Sequence, residues 1–332
     1  MSRVLVTGGA GFIGSHVADA LIGRGHSVTI LDDLSGGFLE NVPSAATFIQ
    51  GTVTDHHLVD RVFADGRFEH VYHLAAYAAE GLSHFIKRFN YTNNIIGSVN
   101  VLNAAINTRV TAFVFSSSIA VYGGSSPAPM TEETAVSPED SYGIAKHTVE
   151  LELRACREMF GLNYVIFRPH NVFGPRQNVG DRYRNVVGIF MNQILQGLPM
   201  TIFGDGTQTR AFSYIDDVAP MMAEAIDVPA CWNQTFNIGA DQPYSLLQLA
   251  TAVSAAMGLP LRVTHLEVRR EVRHAHSTHD KVRRVFGPRP QTSLEEGLGR
   301  MAAWVRKHGV RTSAAFDAIE IAKNLPASWQ AR

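Results

Sequence analysis

Two short stretches carry side chains that can move a proton together: "FSSSIAVYG" at 115–123 and "SYGIAKHTVE" at 141–150. Tyr142 and Lys146 stand four residues apart in a run of helical spacing, so they share one helix face. Ser116, Ser117 and Ser118 close an apolar run that reads as a strand. A free phenol has a pKa of about 10, and a base at neutral pH needs a lower one. Lowering it by about 3 units takes roughly 4 kcal/mol of differential stabilisation, within reach of close cations in a dry cleft. Ser118, Tyr142 and Lys146 are therefore the candidate catalytic set, with Tyr142 the base. Alone, a tyrosine four residues before a lysine is more often a packed ring beside a solvated ammonium. The elements around the pair decide between the two readings.

The first of those elements opens the chain. "RVLVTG" reads as a buried parallel strand, and Gly8, Gly11 and Gly14 follow in GxxGxxG spacing. "FIGSHVADALIGRG" then carries apolar residues at helical spacing, with Gly23 or Gly25 to end the helix. Strand, glycine loop and helix are the layout that sets a pyrophosphate on a helix N-terminus. Gly8 serves the tight turn, Gly11 the backbone approach and Gly14 the close packing of helix on strand. The next strand, "HSVTILDD", ends in Asp32 and Asp33. A carboxylate there accepts bonds from an adenosine ribose diol and repels a 2′-phosphate, which favours NAD over NADP. The positive nicotinamide ring would join Lys146 in stabilising a Tyr142 phenolate.

Strand and helix signals alternate to about residue 170: "ATFIQGTV", "HVYHLAA", "NNIIGSVNVLNAAI", "AFVFSSS", "DSYGIAKHTVELELRACREMF" and "NYVIFRP". This predicts an α/β fold, a doubly wound parallel sheet, with residues 1–170 as the dinucleotide-binding domain. Residues 171–332 read as a smaller substrate-binding lobe interleaved with the sheet. The final "ASWQAR" is expected to be loosely ordered. Across 332 residues the formal net charge is -1, with 45% apolar and 18% charged residues. No basic excess points to nucleic acid, and no run of apolar residues is long enough for a membrane span. Cys156 and Cys231 are far apart and form no CxxC pair, and a strand beginning by Arg3 leaves no room for a signal peptide. A reducing cytoplasm is the expectation, with no thiolate metal site.

These pieces together resemble one family. The chain is similar to the extended short-chain dehydrogenase/reductases of the NAD-dependent epimerase/dehydratase group, and within it to the UDP-sugar 4-epimerases. The resemblance rests on "TGGAGFIG", Asp32, "HLAA" at 73–76, "NNIIGSVNVL", "SSSIAVYG", "YGIAK", "RPHNVFGP", "FGDGTQTRAFSYIDDVA", "FNIG" and "TSLEEGL", spread over nearly the whole length. It implies NAD as cofactor, a nucleotide sugar as substrate and a homodimer built on helices 90–106 and 142–160. It implies that Gly8, Gly11, Phe12, Ile13 and Gly14 hold the pyrophosphate, with Asp32 and Asp33 at the ribose. Val53 would lie against the adenine, Ala75 along the cofactor, and Asn94 would help position it. Lys146 would also bond the nicotinamide ribose, and Ser118 the sugar oxygen. Asn171 and Asn185 would face the diphosphate and Phe203 the uracil, with Arg210 and Arg269 or Arg270 on phosphate. Ala275 stands where some relatives carry a large tyrosine beside the sugar's C2 substituent.

Three features depart from that pattern. Thr52 occupies the slot of an adenine-binding acid, where its hydroxyl can still serve the amine. The segment "YAAEGLSHFIKRF" at 77–89 is unusual; Glu80, His84 and Arg88 read as a solvated helix face rather than sugar ligands. Ile119 and Ala120 occupy the slots where the sugar-nucleotide dehydratases and decarboxylases carry acids. Neither can transfer a proton at C5 or C6, which leaves reversible oxidation at C4: a UDP-hexose 4-epimerase. A uronic-acid 4-epimerase or another nucleotide-sugar dehydratase or reductase is the alternative within the family. A non-catalytic dinucleotide sensor or scaffold is the alternative outside it, and the intact Ser118, Tyr142 and Lys146 argue against that. Among other clusters, His274, His276 and His279 lack a carboxylate in view and carry no metal assignment. "KVRR" at 281–284 reads as a helix surface, and "LEEGL" at 294–298 as the start of a final helix.

Overall fold

The computed structural model describes residues 1–269, 272–312 and 316–329. The predicted alternation gives strands β1 (Arg3–Thr7), β2 (Ser27–Asp32), β3 (Thr47–Gln50), β4 (His70–His73), β5 (Ala112–Ser116) and β6 (Asn163–Pro169). A strand from the C-terminal half, Gln234–Ile238, pairs with β6 and completes a seven-stranded sheet. From that edge the order is Gln234–Ile238, β6, β5, β4, β1, β2, β3, all parallel. The chain runs outward from β1 in one direction through β2 and β3, and in the other through β4, β5 and β6. The strand order reverses at β1, and the crevice outside the carboxyl ends of β1 and β4 is where such sheets bind ligands.

Helices cover both faces, which is why β4 and β5 are buried along their whole length and β1 everywhere beyond Arg3. On one face Val17, Ala18 and Leu21 of helix Phe12–Gly23 pack with Val218 and Met222 of helix Ile215–Ala223. On the other, Val59 and Phe63 pack with Val101 and Leu102 and with Val149 and Leu153 of helix Ser141–Phe160. The C-terminal half thus adds both an edge strand and a covering helix to the sheet. Its other α-helices among the described residues are Val186–Leu195, Leu246–Ala256, Asp280–Phe286 and Leu294–His308, interspersed with short strands. Among the described residues, no helix is long and apolar enough to cross a membrane.

Two expectations are corrected. The helix read over 90–106 is not uniform: an α-helical turn, Lys87–Tyr91, passes through a π-helical turn, Thr92–Ile96, into the helix Gly97–Asn107. There Asn94 Nδ2 donates to Asn90 Oδ1 (2.8 Å) and to the Tyr77 carbonyl (3.0 Å), and Asn94 Oδ1 accepts from the Tyr77 amide (2.8 Å). The wider turn carries side-chain bonds that regular spacing does not show. Nor does the described part of the C-terminal segment, 316–329, hang loose; residues 330–332 of "ASWQAR" lie outside the described residues. Phe316, Ile319, Leu325 and Trp329 join Ala79, Leu82 and Ile86 in one apolar cluster, and Trp329 is only 7% exposed. A tryptophan and three other large apolar side chains outweigh the polar neighbours that suggested disorder.

Candidate active site

Gly8 turns the chain at the end of β1 with φ +74°. A Cβ on Gly8 would lie 2.6 Å from the Ala75 nitrogen, and one on Gly14 only 2.1 Å from the Gly8 carbonyl oxygen. Both positions therefore need glycine, one for its backbone angle and both for the close approach of loop, helix and the end of β4. The notch they leave opens into a cleft of about 680 Å³ that also takes in Gly11, Phe12, Ile13, Asp32, Asp33, Val53 and Ala75. The amides at the start of helix Phe12–Gly23 make this notch fit the pyrophosphate of a dinucleotide. Asp32 stands at its edge, where its carboxylate accepts from the Ala10 amide (3.0 Å) and the Leu34 amide (2.8 Å). Burial raises its pKa, and those two amides work against the rise. The residue thus clamps the glycine loop at the edge of the notch. Thr52 lines the same region with its hydroxyl 3.0 Å from that of Thr54. Asn94 is buried behind the Tyr77 backbone and does not line the cleft.

The catalytic candidates meet at the carboxyl end of β5. Asp140 caps helix Ser141–Phe160 by accepting from the Gly143 amide (2.8 Å), which fixes Tyr142 in the first turn and Lys146 one turn on. Lys146 Nζ donates to the Ser116 carbonyl (2.7 Å) and lies 5.7 Å from the centre of the Tyr142 ring. Ser118 accepts from the Ala120 amide (3.1 Å) and is hydrogen-bonded to the Tyr142 phenol. All three side chains are buried against the cleft. Burial pushes Lys146 down to about 7, with the Glu150 carboxylate pulling the other way. The phenol departs from expectation: burial and then the Glu80 carboxylate raise its pKa, against a lowering by the Ser118 bond. The sequence reading counted the nearby cation; it did not count the desolvation of the ring or Glu80.

Glu80 and His84 line the cleft, Glu80 exposed to solvent and His84 half-buried, so the reading of 77–89 as a solvated face is corrected only for His84. It holds for Arg88, whose side chain is 87% exposed beside Glu320. Asn171, Asn185, Phe203, Arg210 and Arg269 line the other arm of the cleft. Asn171 (φ +40°) and Asn185 (φ +63°) occupy left-handed backbone, and Asn185 precedes helix Val186–Leu195. The Arg269 guanidinium lies 4.3 Å from the Phe203 ring centre. Arg210 donates to the Thr209 carbonyl (2.8 Å) and the Arg273 carbonyl (3.1 Å). Arg270 lies outside the described residues. Ala275 stands apart from the main cleft in a side pocket of about 80 Å³, shared with Ser118, Ile119, Asn171 and Arg210. His279 turns to Asp241 (2.6 Å) and to His170 (3.0 Å), while His274 bonds Thr209 (2.9 Å). No group among the described residues could hold a metal ion.

Sequence reasoning missed the loop 181–184 and the final segment. Asp181 accepts from the amides of Tyr183 (2.8 Å) and Arg184 (3.2 Å) and pairs with the Arg184 side chain; Tyr183, Arg184, Ser328 and Trp329 all line the cleft. The lone tryptophan in "ASWQAR" was the available signal.

Comparison with known proteins agrees with this geometry. The profile of the NAD dependent epimerase/dehydratase family matches residues 4–239. The chain is 35% identical to the UDP-glucose 4-epimerase of Mycolicibacterium smegmatis over 311 residues, 92% of this chain and 98% of that protein. It is similar in structure to the Thermotoga maritima UDP-glucose 4-epimerase crystallised with UDP-glucose (TM-score 0.88, 36% identity, 92% and 99% of the two chains). The Thermus thermophilus UDP-glucose 4-epimerase, solved with NAD, has a TM-score of 0.85 at 32% identity over the same shares.

Proposed function

The chain belongs to the NAD dependent epimerase/dehydratase family, and from that premise we propose that it inverts C4 of a UDP-hexose, as a UDP-glucose 4-epimerase does. The enzyme is NAD-dependent and an isomerase. The observation that carries the reading is the meeting of Ser118, Tyr142 and Lys146 across one cleft from the glycine notch. NAD, when bound in that notch, supplies a reversible hydride acceptor for C4. Tyr142 takes the C4 hydroxyl proton and returns it after the sugar has presented its other face. Ser118, already bonded to the phenol, holds the sugar oxygen in line. Lys146 stabilises the phenolate and bonds the ribose. The start of helix Val186–Leu195, entered through Asn185, suits the diphosphate. Arg210 and Arg269 add positive charge on the same arm.

The direct test is incubation of the purified protein with UDP-glucose or UDP-galactose, separating products by chromatography and NMR. Each should yield the other, and Tyr142→Phe should remove nearly all turnover while retaining NAD. Absence of interconversion with any UDP-, GDP- or dTDP-hexose would end the reading.

The finer expectations join it. Ile96 (51% exposed), Ile144 (39%) and Leu151 (49%) are large apolar side chains left in solvent on the helical segments 87–107 and Ser141–Phe160. Such a patch suits a second copy, so the working enzyme is a homodimer. Light scattering at micromolar concentration should return twice the chain mass. Two buried, unpaired cysteines suit a cytoplasmic enzyme.

A further inference from the structure

The segment 316–329 lies across the cleft at a place that the catalytic set does not explain. It is fastened to both halves of the chain. On the N-terminal side, Glu320 accepts from the amides of Arg88 and Phe89 (2.9 Å each), and its own amide donates to the Phe85 carbonyl (2.9 Å). Phe316 packs edge-on against Phe89, with ring centres 4.9 Å apart. On the other side, Tyr183 meets Trp329 edge-on at 5.4 Å. Trp329 sits between these anchorages: a Cβ on Gly81 would come within 3.0 Å of its ring. One face of the indole looks toward the Arg269 guanidinium at 5.8 Å, and that guanidinium covers Phe203 at 4.3 Å. Phe203, Arg269 and Trp329 all line the same arm of the cleft.

We propose that Trp329 is a positioning residue for substrate binding: from the folded-back segment 316–329 it walls the nucleotide-sugar arm and holds Arg269 over Phe203. Two features of the geometry point this way. A guanidinium between two aromatic faces keeps its charge while losing side-chain freedom, so less is lost when it meets a diphosphate. And a wall joined to both the 80–91 and 181–184 segments closes that arm from water, which strengthens each charged contact within it. The catalytic set lies elsewhere, on β5 and helix Ser141–Phe160, so the wall acts on binding and leaves the chemical step unchanged.

The inference rests on the nucleotide-sugar reading above, and its test separates the two. Trp329→Leu keeps apolar bulk among Ala79, Leu82 and Ile86 but removes the aromatic face, whereas Trp329→Phe keeps a ring. Initial rates are measured against UDP-glucose concentration, alongside UDP binding by calorimetry, bound NAD by absorbance, and thermal melting. Trp329→Leu should raise KM and weaken UDP about tenfold, with kcat within twofold and NAD content unchanged. Trp329→Phe should stay within threefold of wild type. Arg269→Ala should show the same rise in KM, and the double variant should be no worse than Arg269→Ala alone. The inference is overturned if Trp329→Leu binds UDP as wild type does. It is also overturned if kcat, KM and melting temperature fall together without rescue by phenylalanine, or if the two substitutions add. A wild-type protein that neither turns over UDP-sugars nor binds UDP would overturn the functional reading itself.

Discussion

Lys146→Met separates the charge of the lysine from its bulk. In the ligand-free protein the Tyr142 phenol is pushed above its ordinary value by burial and by Glu80, so forming the phenolate at neutral pH costs at least about 4 kcal/mol. The Lys146 ammonium lies 5.7 Å from the centre of that ring. Taken as a stand-in for the separation of ammonium and phenolate, that distance gives an attraction of about 3 kcal/mol at an effective dielectric of about 20. Removing the ammonium should slow turnover by about a hundredfold. It should also alter the pH dependence. Burial holds Lys146 at about 7, so raising the pH of wild type gains phenolate while losing ammonium, and the two largely offset. Without the ammonium only the phenol titrates, below its raised pKa, and turnover should climb about tenfold per unit from about pH 7 to 9. The assay is turnover at saturating UDP-hexose and NAD, since the lysine is also proposed to bond the ribose. A variant within fivefold of wild type, or one whose rate stays flat with pH, would refute the electrostatic reasoning.

Other outcomes follow from the same coordinates. Asp32→Ser removes both the carboxylate proposed to meet the ribose and the clamp on Ala10 and Leu34, so NAD should bind about tenfold more weakly and the preference over NADP should narrow in fluorescence titrations; equal affinity of wild type for NADP would sink the assignment. Glu150→Ala strands the buried Arg168, which donates to Glu150 at 2.9 and 2.5 Å, and should cost about 3–5 kcal/mol in urea unfolding. Burial opposes the charge on Glu150, but bonds from Arg168 and Ser117, with His147 3.7 Å away, hold its carboxyl below the usual range; that stabilisation is present above the unfolded value of about 4.5 and is lost as pH falls through the lower folded one. Ala275→Tyr should fill the side pocket beside Ser118 and depress activity on a UDP-N-acetylhexose while sparing the plain hexose; equal loss on both, or a wild type that never accepts the larger sugar, would show that the pocket does not serve the C2 substituent.

The sequence made much of this legible because its local signals have local causes. A β-branched run followed by glycines at fixed spacing admits few backbones, and Gly8 and Gly14 stand where a Cβ would strike backbone. Tyr142 and Lys146 could be paired on paper because helical spacing alone brings them together. What escaped was whatever depends on distant partners. Trp329 looked like part of a frayed end because its neighbours, Ala79, Leu82 and Ile86, are far away in sequence. His84 looked solvated because nothing in the 77–89 segment says that it lines the cleft. The π-helical turn at 92–96 carries Asn94, which accepts from the Tyr77 amide and donates to the Tyr77 carbonyl, another contact that local spacing does not show.

The three serines at the end of β5 show how far a motif can be read. As text, "SSS" is one polar cluster. In the structure each serine does a different thing, because consecutive residues of an extended chain point to opposite sides. Ser116 offers its carbonyl to Lys146 (2.7 Å). Ser117 turns the other way and donates to Glu150 (2.5 Å), entering the buried set that runs through Arg168 to Tyr122 and on to Asn237 of the edge strand. Ser118 turns back to the cleft and bonds the Tyr142 phenol. The catalytic helix is thus held at two successive turns, by Lys146 to Ser116 at the end of β5 and by Glu150 to Ser117 just beyond it. That double attachment sets the distance between ammonium and phenol on which the rate argument depends. A serine lost at 117 should therefore disturb the chemistry only through the position of Glu150, whereas one lost at 118 removes a group that touches the reacting oxygen.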